Sequence, residues 1–446
     1  MILNDKWTLA DDIQHGKYVK EVTNIIQSCE PPYVLGIHGD WGSGKTSFLR
    51  KMHWYLAGSE TGYESPISYR EKWGKDFQED SQLETIWFDA WHYSFEDTPA
   101  VALLNEIRSH FTLKQRFSMN AKKFAYTALM TLDDLMGKLK SFSIAENAES
   151  ALNKWDKKYH TQPLPSQMIK VLMEKSIDTL LNADKDDDTA DNAPKKRLVI
   201  FVDDLDRCNG PVAFKLLEAL KIYFSIDNCV FVIGMDVRHV RRAVAAELKI
   251  KGMIPATENV EIYAADYLNK MFQYVFYLPV IPNYKEYLKI LMQQSELKAD
   301  LEIWIDRIEY FKLLPLNPRK IKSFIGSLSF FVKRLLTHNP NLEIDIQLTL
   351  IVLYLKLYAN EVFRILKEEY DFWDKLILYC RKLETSDIKA LEKLTHPQKV
   401  KSLEGEGDVQ LESAFHDPAY EGLFRATRLI ADYGRPAKDK HSIYLV

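Results

Sequence analysis

The stretch "YVLGIHGDWGSGKTSFLRKM", residues 33–52, constrains this chain more than any other. An apolar, partly β-branched run leads into a glycine turn. "KTSFLRKMHWYL" follows, with Phe48, Leu49, Met52 and Leu56 at helical spacing. Gly39, Gly44, Lys45 and Thr46 satisfy G-x-x-x-x-G-K-[ST] between that strand and that helix, the signature of a phosphate-binding loop. Backbone N–H groups must turn inward around phosphate oxygens, where side chains would obstruct them, so Gly42 and Gly44 sit in the turn. Gly39, Asp40, Trp41, Gly42, Ser43, Gly44, Lys45, Thr46 and Ser47 are expected to line a nucleotide site at a helix N-terminus, which favours an anion. Lys45 is expected to reach the β- and γ-phosphates, and the Thr46 hydroxyl to ligate Mg²⁺.

Hydrolysis needs a second, acidic strand. "LVIFVDDLDR", residues 198–207, has five apolar residues ending in two aspartates and fits a strand buried on both faces of a parallel sheet. Asp203 is the expected Mg²⁺ holder, and Asp204 the group that orients or deprotonates water. "CVFVIGMD", residues 229–236, predicts a third strand, and the intervening "PVAFKLLEALKIYF" a helix with Pro211 in its first turn. Asp236 fits either a γ-phosphate sensor or the cap of the next helix, "VRHVRRAVAAEL". In "WFDAWHY", residues 87–93, Trp87, Asp89 and Trp91 are expected to alternate along a strand as packing, and His92 has no partner at metal-ligand spacing. Alternating strands and helices predict a doubly wound parallel sheet.

At 446 residues, 46% hydrophobic and 27% charged, the chain has the composition of a globular protein of two or three domains. A net charge of −4 gives no overall pull toward nucleic acid or an anionic membrane. The four cysteines have no C-x-x-C spacing, which argues against zinc and redox motifs and fits free thiols in a reducing cytosol. No basic–apolar leader opens the chain, and "FAYTALMTL" at 124–132 is too short to span a bilayer, so a cytoplasmic, soluble protein is expected.

The ordered set "GDWGSGKTSFL", "WFDAWHYSFEDTPAVALLNEI", "IFVDDLDRC", "VFVIGMDVRHVRRAV", "YLNKMFQYVFYLP" and "NPRKIKSFI" resembles the KAP P-loop NTPases, from about Leu9 to about Leu366. These belong to the STAND-related branch of the additional-strand P-loop ATPases. The resemblance implies ATP and Mg²⁺, an assembly or switching role, and a phosphate-loop strand flanked on both sides. It places Asp206 and Arg207 near the end of the acidic strand. There Arg207 either touches phosphate, in its own subunit or a neighbour's, or closes the loop as an Asp–Arg pair. "NPRKIKSFI" resembles the start of a sensor-2 helix, with Asn317 as N-cap, Pro318 first, and Arg319 aimed at the γ-phosphate. Many members carry membrane helices between phosphate loop and acidic strand, and this chain shows no spanning segment there.

The expected fold is thus an α/β P-loop NTPase core with a helical insertion and a helical C-terminal domain. Residues 1–110 and 198–283 form the core. Residues 111–197 form the insertion, with the amphipathic "MIKVLMEKSIDTLL" and the mobile acidic loop "NADKDDDTADNAPKKR", and residues 284–446 form the helical domain. Residues 345–366 predict one buried helix or an interface, "LEGEGD" a turn, and "GRPAKDKHS" a loop. Phe372, Trp373 and Phe415 are expected to close this domain. Two functions fit: an ATPase that drives or times assembly, and a nucleotide-gated interaction module with negligible turnover. The paired Asp203–Asp204 favours the first, and no N-K-x-D motif supports GTP. By resemblance, the partners are further copies of the chain or a separate effector, in a setting such as phage defence. Nothing in the sequence marks nucleic acid as a ligand.

Overall fold

A computed structural model describes residues 6–57, 83–94, 196–223, 226–252, 259–295, 301–385 and 421–445, with isolated positions within 102–107 and 174–181 and at 297. The chain divides into two compact units, Trp7–Pro279 and a unit that begins at Val280.

The first unit is built on a five-stranded sheet: β1 (Tyr33–His38), β2 (Leu83–Asp89), β3 (Arg197–Asp203), β4 (Cys229–Met235) and β5 (Tyr274–Tyr277). All pairings are parallel, in the order β2-β3-β4-β1-β5. Its helices are α1 (Gly16–Ser28), α2 (Lys45–Ala57), α3 (Gly210–Tyr223), α4 (Val237–Ile250) and α5 (Val260–Asn269). Alternation along β3 explains its continuous apolar run. Val199 and Phe201 join a core with Val22 and Ile26 of α1 and Phe48 and Met52 of α2. Leu198, Ile200 and Val202 face the opposite core, with Phe214 and Leu217 of α3 and Val240 and Val244 of α4. Both faces of the sheet are covered by helices, which is what a doubly wound parallel sheet requires. Arg197, at the start of β3, donates to the carbonyls of Gln27 (2.6 Å) and Cys29 (3.0 Å), satisfying the end of α1 against the sheet.

The second unit is helical among its described residues: α6 (Tyr284–Gln294), α7 (Leu301–Tyr310), α8 (Pro318–His338), α9 (Ile346–Tyr358), α10 (Asn360–Glu368), α11 (Phe372–Thr385), α12 (Glu421–Tyr433) and α13 (Lys438–Tyr444). Asn317 caps α8 by accepting from Lys320 N–H at 3.1 Å, with Pro318 in the first turn as its sequence predicts. Asp345 caps α9 through Leu348 N–H at 3.1 Å. It also pairs with Lys440 at 2.7 Å and accepts from the Tyr433 hydroxyl at 2.8 Å, tying α12 and α13 to this cap. Phe372 and Trp373 are buried.

Three expectations need correction, and one element is new. The stretch 345–366 is two helices broken at Ala359. The predicted loop 434–442 becomes helical from Lys438. Trp91 lies in a turn beyond the end of β2 and is half exposed, so it does not continue the strand's alternation. Strand β5 has no counterpart in the sequence reading. Residues 124–132, 182–195 and 403–408 and Phe415 lie outside the described residues, as does most of 168–181, although Ile177 is buried in the sheet's second core. All four cysteines are free thiols. Among the described residues no helix is long and apolar enough to cross a membrane.

Candidate nucleotide site

Parallel pairing brings the C-terminal ends of the strands together, and the loops that leave them meet there. The phosphate loop departs from β1 at Gly39, whose N–H donates to Met235 O on β4 at 3.3 Å. A Cβ on Gly39 would stand 2.4 Å from Ser43 Oγ and 2.9 Å from Leu278 Cδ1, so a side chain here would displace its neighbours in the loop. Gly42 and Gly44 take left-handed φ values of 81° and 97°, which glycine adopts without strain. A strap ahead of α1 fastens the helix behind the loop. Thr8 N–H donates to Ser47 Oγ at 3.1 Å, and Asp11 pairs with Lys51 at 2.9 Å. The buried His15 ring stands edge-on to Phe48 and hydrogen-bonds through Nε2 to Pro279 O at 3.1 Å. Burial and the nearby Lys51 pull the His15 pKa down to about 4, so this ring is neutral near pH 7.

Lys45 is buried and curls back over its own loop, donating to Gly39 O at 2.8 Å and Asp40 O at 3.3 Å. Its ammonium also pairs with Asp206 Oδ2 at 3.0 Å. Asp206 belongs to a short 3-10 turn, Leu205–Arg207, that follows β3 directly.

The end of β3 carries the acids. Asp203 is 2% exposed, and its Oδ1 has no hydrogen-bond partner. The Thr46 side chain hydrogen-bonds to this carboxylate. Burial nevertheless raises its pKa, against the lowering effect of Thr46 and the Asp204 backbone. Gly234 on the adjacent β4 leaves the space; a Cβ there would lie 3.1 Å from Asp203 Oδ1 and 2.4 Å from Leu49 Cδ1. A buried carboxylate oxygen without a donor, beside a threonine hydroxyl, is an oxygen donor set that suits a hard divalent cation such as Mg²⁺. Thr46 and Asp203, predicted as metal ligands, are therefore in contact and fit the ion.

Asp204 has φ 59°, a left-handed conformation that asparagine and aspartate tolerate better than most residues. Burial, with the charge of Asp203 next, pushes its pKa up to about 7, and Arg207 opposes the shift. Arg207 Nε contacts Asp204 Oδ1 at 2.8 Å, and its guanidinium lies 5.8 Å from the centre of the Trp91 ring. Of the two roles the sequence left for Arg207, the loop-closing ion pair is the one formed here. Asp236 likewise takes the capping role, accepting from Arg238 N–H at 3.0 Å. Arg238 also pairs with Asp40, linking the phosphate loop to the start of α4.

Sequence reasoning set Asp89 aside as packing. The register puts it opposite Asp203, and its charge helps raise the pKa of Asp204. Only the β2–β3 pairing reveals this, because 114 positions separate the two acids in the chain. Arg319, the expected sensor, lies in the helical unit, in the first turn of α8.

A parallel sheet with β4 inserted between the phosphate-loop strand and the acidic strand, with Lys45, Thr46 and Asp203 at its carboxyl edge, defines a P-loop NTPase domain of the additional-strand kind. A family model described as the KAP family P-loop domain matches residues 16–335, well over half of the chain, and the protein belongs to that family. No curated protein matches the chain.

Proposed function

We propose that this protein hydrolyses ATP with Mg²⁺ and couples the cycle to assembly or to a conformational switch, as the ATPase subunit of a larger complex. The observation that carries this reading is the contact of Thr46 with Asp203, whose Oδ1 is buried and bare. A protein that only held phosphate would gain nothing from keeping such an oxygen unpaired. Thr46 and Asp203 would hold Mg²⁺, which when bound neutralises charge on the phosphoryl group in transfer. The loop amides and Lys45 bind and orient the triphosphate once Lys45 leaves Asp206. Asp204 titrates close to neutrality, which suits a group that takes a proton from attacking water. Arg207 is available to phosphate, in its own subunit or a neighbour's, once it leaves Asp204. Arg319 would report the γ-phosphate to the helical unit. The partner is a further copy of this chain or a separate effector, and the phage-defence setting implied by the family resemblance is one such assembly.

A second reading has its own support: a nucleotide-gated module with negligible turnover. Lys45 and Asp204 are both engaged in ion pairs, with Asp206 and Arg207, so the chain by itself rests in an arrangement unsuited to hydrolysis. Phosphate release by wild type, Lys45→Ala and Asp204→Asn across a protein-concentration series separates the two. Magnesium-dependent turnover lost in both variants supports the ATPase, and a specific rate that climbs with concentration supports catalysis between subunits. ATP binding without turnover in wild type favours the gated module.

A further inference from the structure

Helix α8 has two working faces. One, with Ile321, Phe324, Ile325 and Leu328, is buried in the helical unit. The second runs beside it at positions 319, 322, 323, 326, 327, 330 and 334, a helical repeat of three and four, and lines a groove of about 700 Å³ closed on its other side by Leu353, Lys356 and Leu357 of α9. Three properties of this groove bear on what could occupy it. The first is charge: Arg319, Lys322, Arg334 and Lys356 line it, and no acidic residue does. Among the described residues Lys322 and Arg334 have no ion-pair partner, and Lys356 Nζ stands only over the rings of Phe331 (6.0 Å) and Phe363 (5.6 Å). The second is apolar exposure, with Phe330 68% and Leu357 42% accessible between those cations. The third is Gly326 in the middle of a 21-residue helix. Its φ is not positive, and a Cβ there would meet nothing within 4 Å, so alanine would fit and favour the helix.

We infer that this groove is a docking site for an acidic amphipathic helix of a partner protein, whose apolar side chains seat over Gly326 between Phe330 and Leu357 and whose carboxylates meet Lys322, Arg334 and Lys356. Missing bulk at Gly326 lets a second helix approach closely, and the unpaired cations select the sign of its flanks. The span from residue 319 to residue 334 is about 22 Å at the rise of an α-helix, so the occupant is about four turns long. A nucleic acid is the weaker match. Leucine sides offer its phosphates nothing, and a single exposed aromatic ring is a poor stacking platform.

The test is fluorescence anisotropy of the full-length protein with a labelled helical peptide of about sixteen residues. The peptide carries leucines along one face and glutamates on both flanks. A scrambled peptide of the same composition and a single-stranded oligonucleotide of the same net charge serve as competitors. Micromolar binding is expected for the amphipathic peptide alone, weakening with added salt. The double variant Lys322→Glu/Arg334→Glu, which alters only solvent-reaching side chains, should weaken it at least ~10-fold, and Gly326→Leu should do so at unchanged ionic strength dependence. Far-UV circular dichroism confirms the fold of each variant. If Gly326→Leu proves unfolded, the charge-reversal variant decides. Absence of peptide binding, equal affinity in the charge-reversed protein, or displacement by the oligonucleotide at lower concentration than by unlabelled peptide would overturn the inference.

Discussion

The phosphate loop and the turn after β3 lie at the same edge of one sheet, and they are built on opposite principles. The loop is a backbone construction. Glycines at 39, 42 and 44 supply its shape, and the strap from Thr8 to His15 fastens the helix behind it through Thr8–Ser47, Asp11–Lys51 and His15–Phe48 contacts. The turn after β3 concentrates carboxylates. Asp203 is buried with a bare oxygen, and burial, with Asp203, Asp89 and Asp206 nearby, holds the Asp204 pKa well above the ordinary carboxylate value. In the first half Lys45, Lys51, Asp11 and Asp40 all stand in ion pairs. The other keeps a charge deficit that a cation would relieve, so the two halves of the site fit the two halves of a metal–nucleotide complex.

The largest effect separating these halves should come from Lys45→Ala, which removes the one side-chain cation the loop supplies. Turnover in a phosphate-release assay is expected to fall at least ~100-fold. Retained turnover would mean that the loop's backbone suffices. On the fastened side, His15 stays neutral in the fold because its pKa of about 4 lies below the ordinary 6.5. Its stabilising contribution is complete above pH 6.5 and is lost as pH falls toward 4, on the order of 3 kcal/mol. Thermal unfolding of wild type and His15→Gln over that range should show the loss in wild type only.

The acidic side has the reverse sign. The Asp204 carboxyl is raised from 3.8 to about 7, so folding stability falls as pH climbs through that window. In magnesium-free buffer Asp204→Asn should match wild type near pH 4 and exceed it at pH 8 by about 1 kcal/mol, after discount for partial exposure. Equal stability at both values would show that the turn carries no charge deficit. The smallest effect is expected from Arg207→Ala, which removes the cation holding Asp204 down and should move its titration, followed by carboxyl NMR shifts, up by about one unit.

The difference between the halves also decides what could be read from sequence. The loop was legible because its chemistry sits within eight consecutive residues whose spacing is fixed by backbone geometry. Strands β1, β3 and β4 announced themselves as apolar runs because both of their faces are buried. β5 did not, since it is four residues long at the sheet's edge and largely accessible. The break at Ala359 was hidden because neither glycine nor proline marks it and both flanking segments keep an apolar pattern. Asp89 and the Lys45–Asp206 pair are products of strand order, and no local pattern carries them. The same holds for the strap, whose contacts with α2 join residues about 40 positions apart.

One contact changes what ligand arrival means. Because Lys45 already has a counterion in Asp206, a phosphate entering the loop swaps one anion for another. The quantity that changes most is the situation of the aspartate left behind. Asp206 sits in the turn that joins β3 to α3, one residue from Arg207 and two from Asp204. Under the proposed function, a carboxylate released there would compete with Asp204 for Arg207. On that reading occupancy at the loop is passed to the turn after β3, where Arg207 faces two carboxylates in place of one.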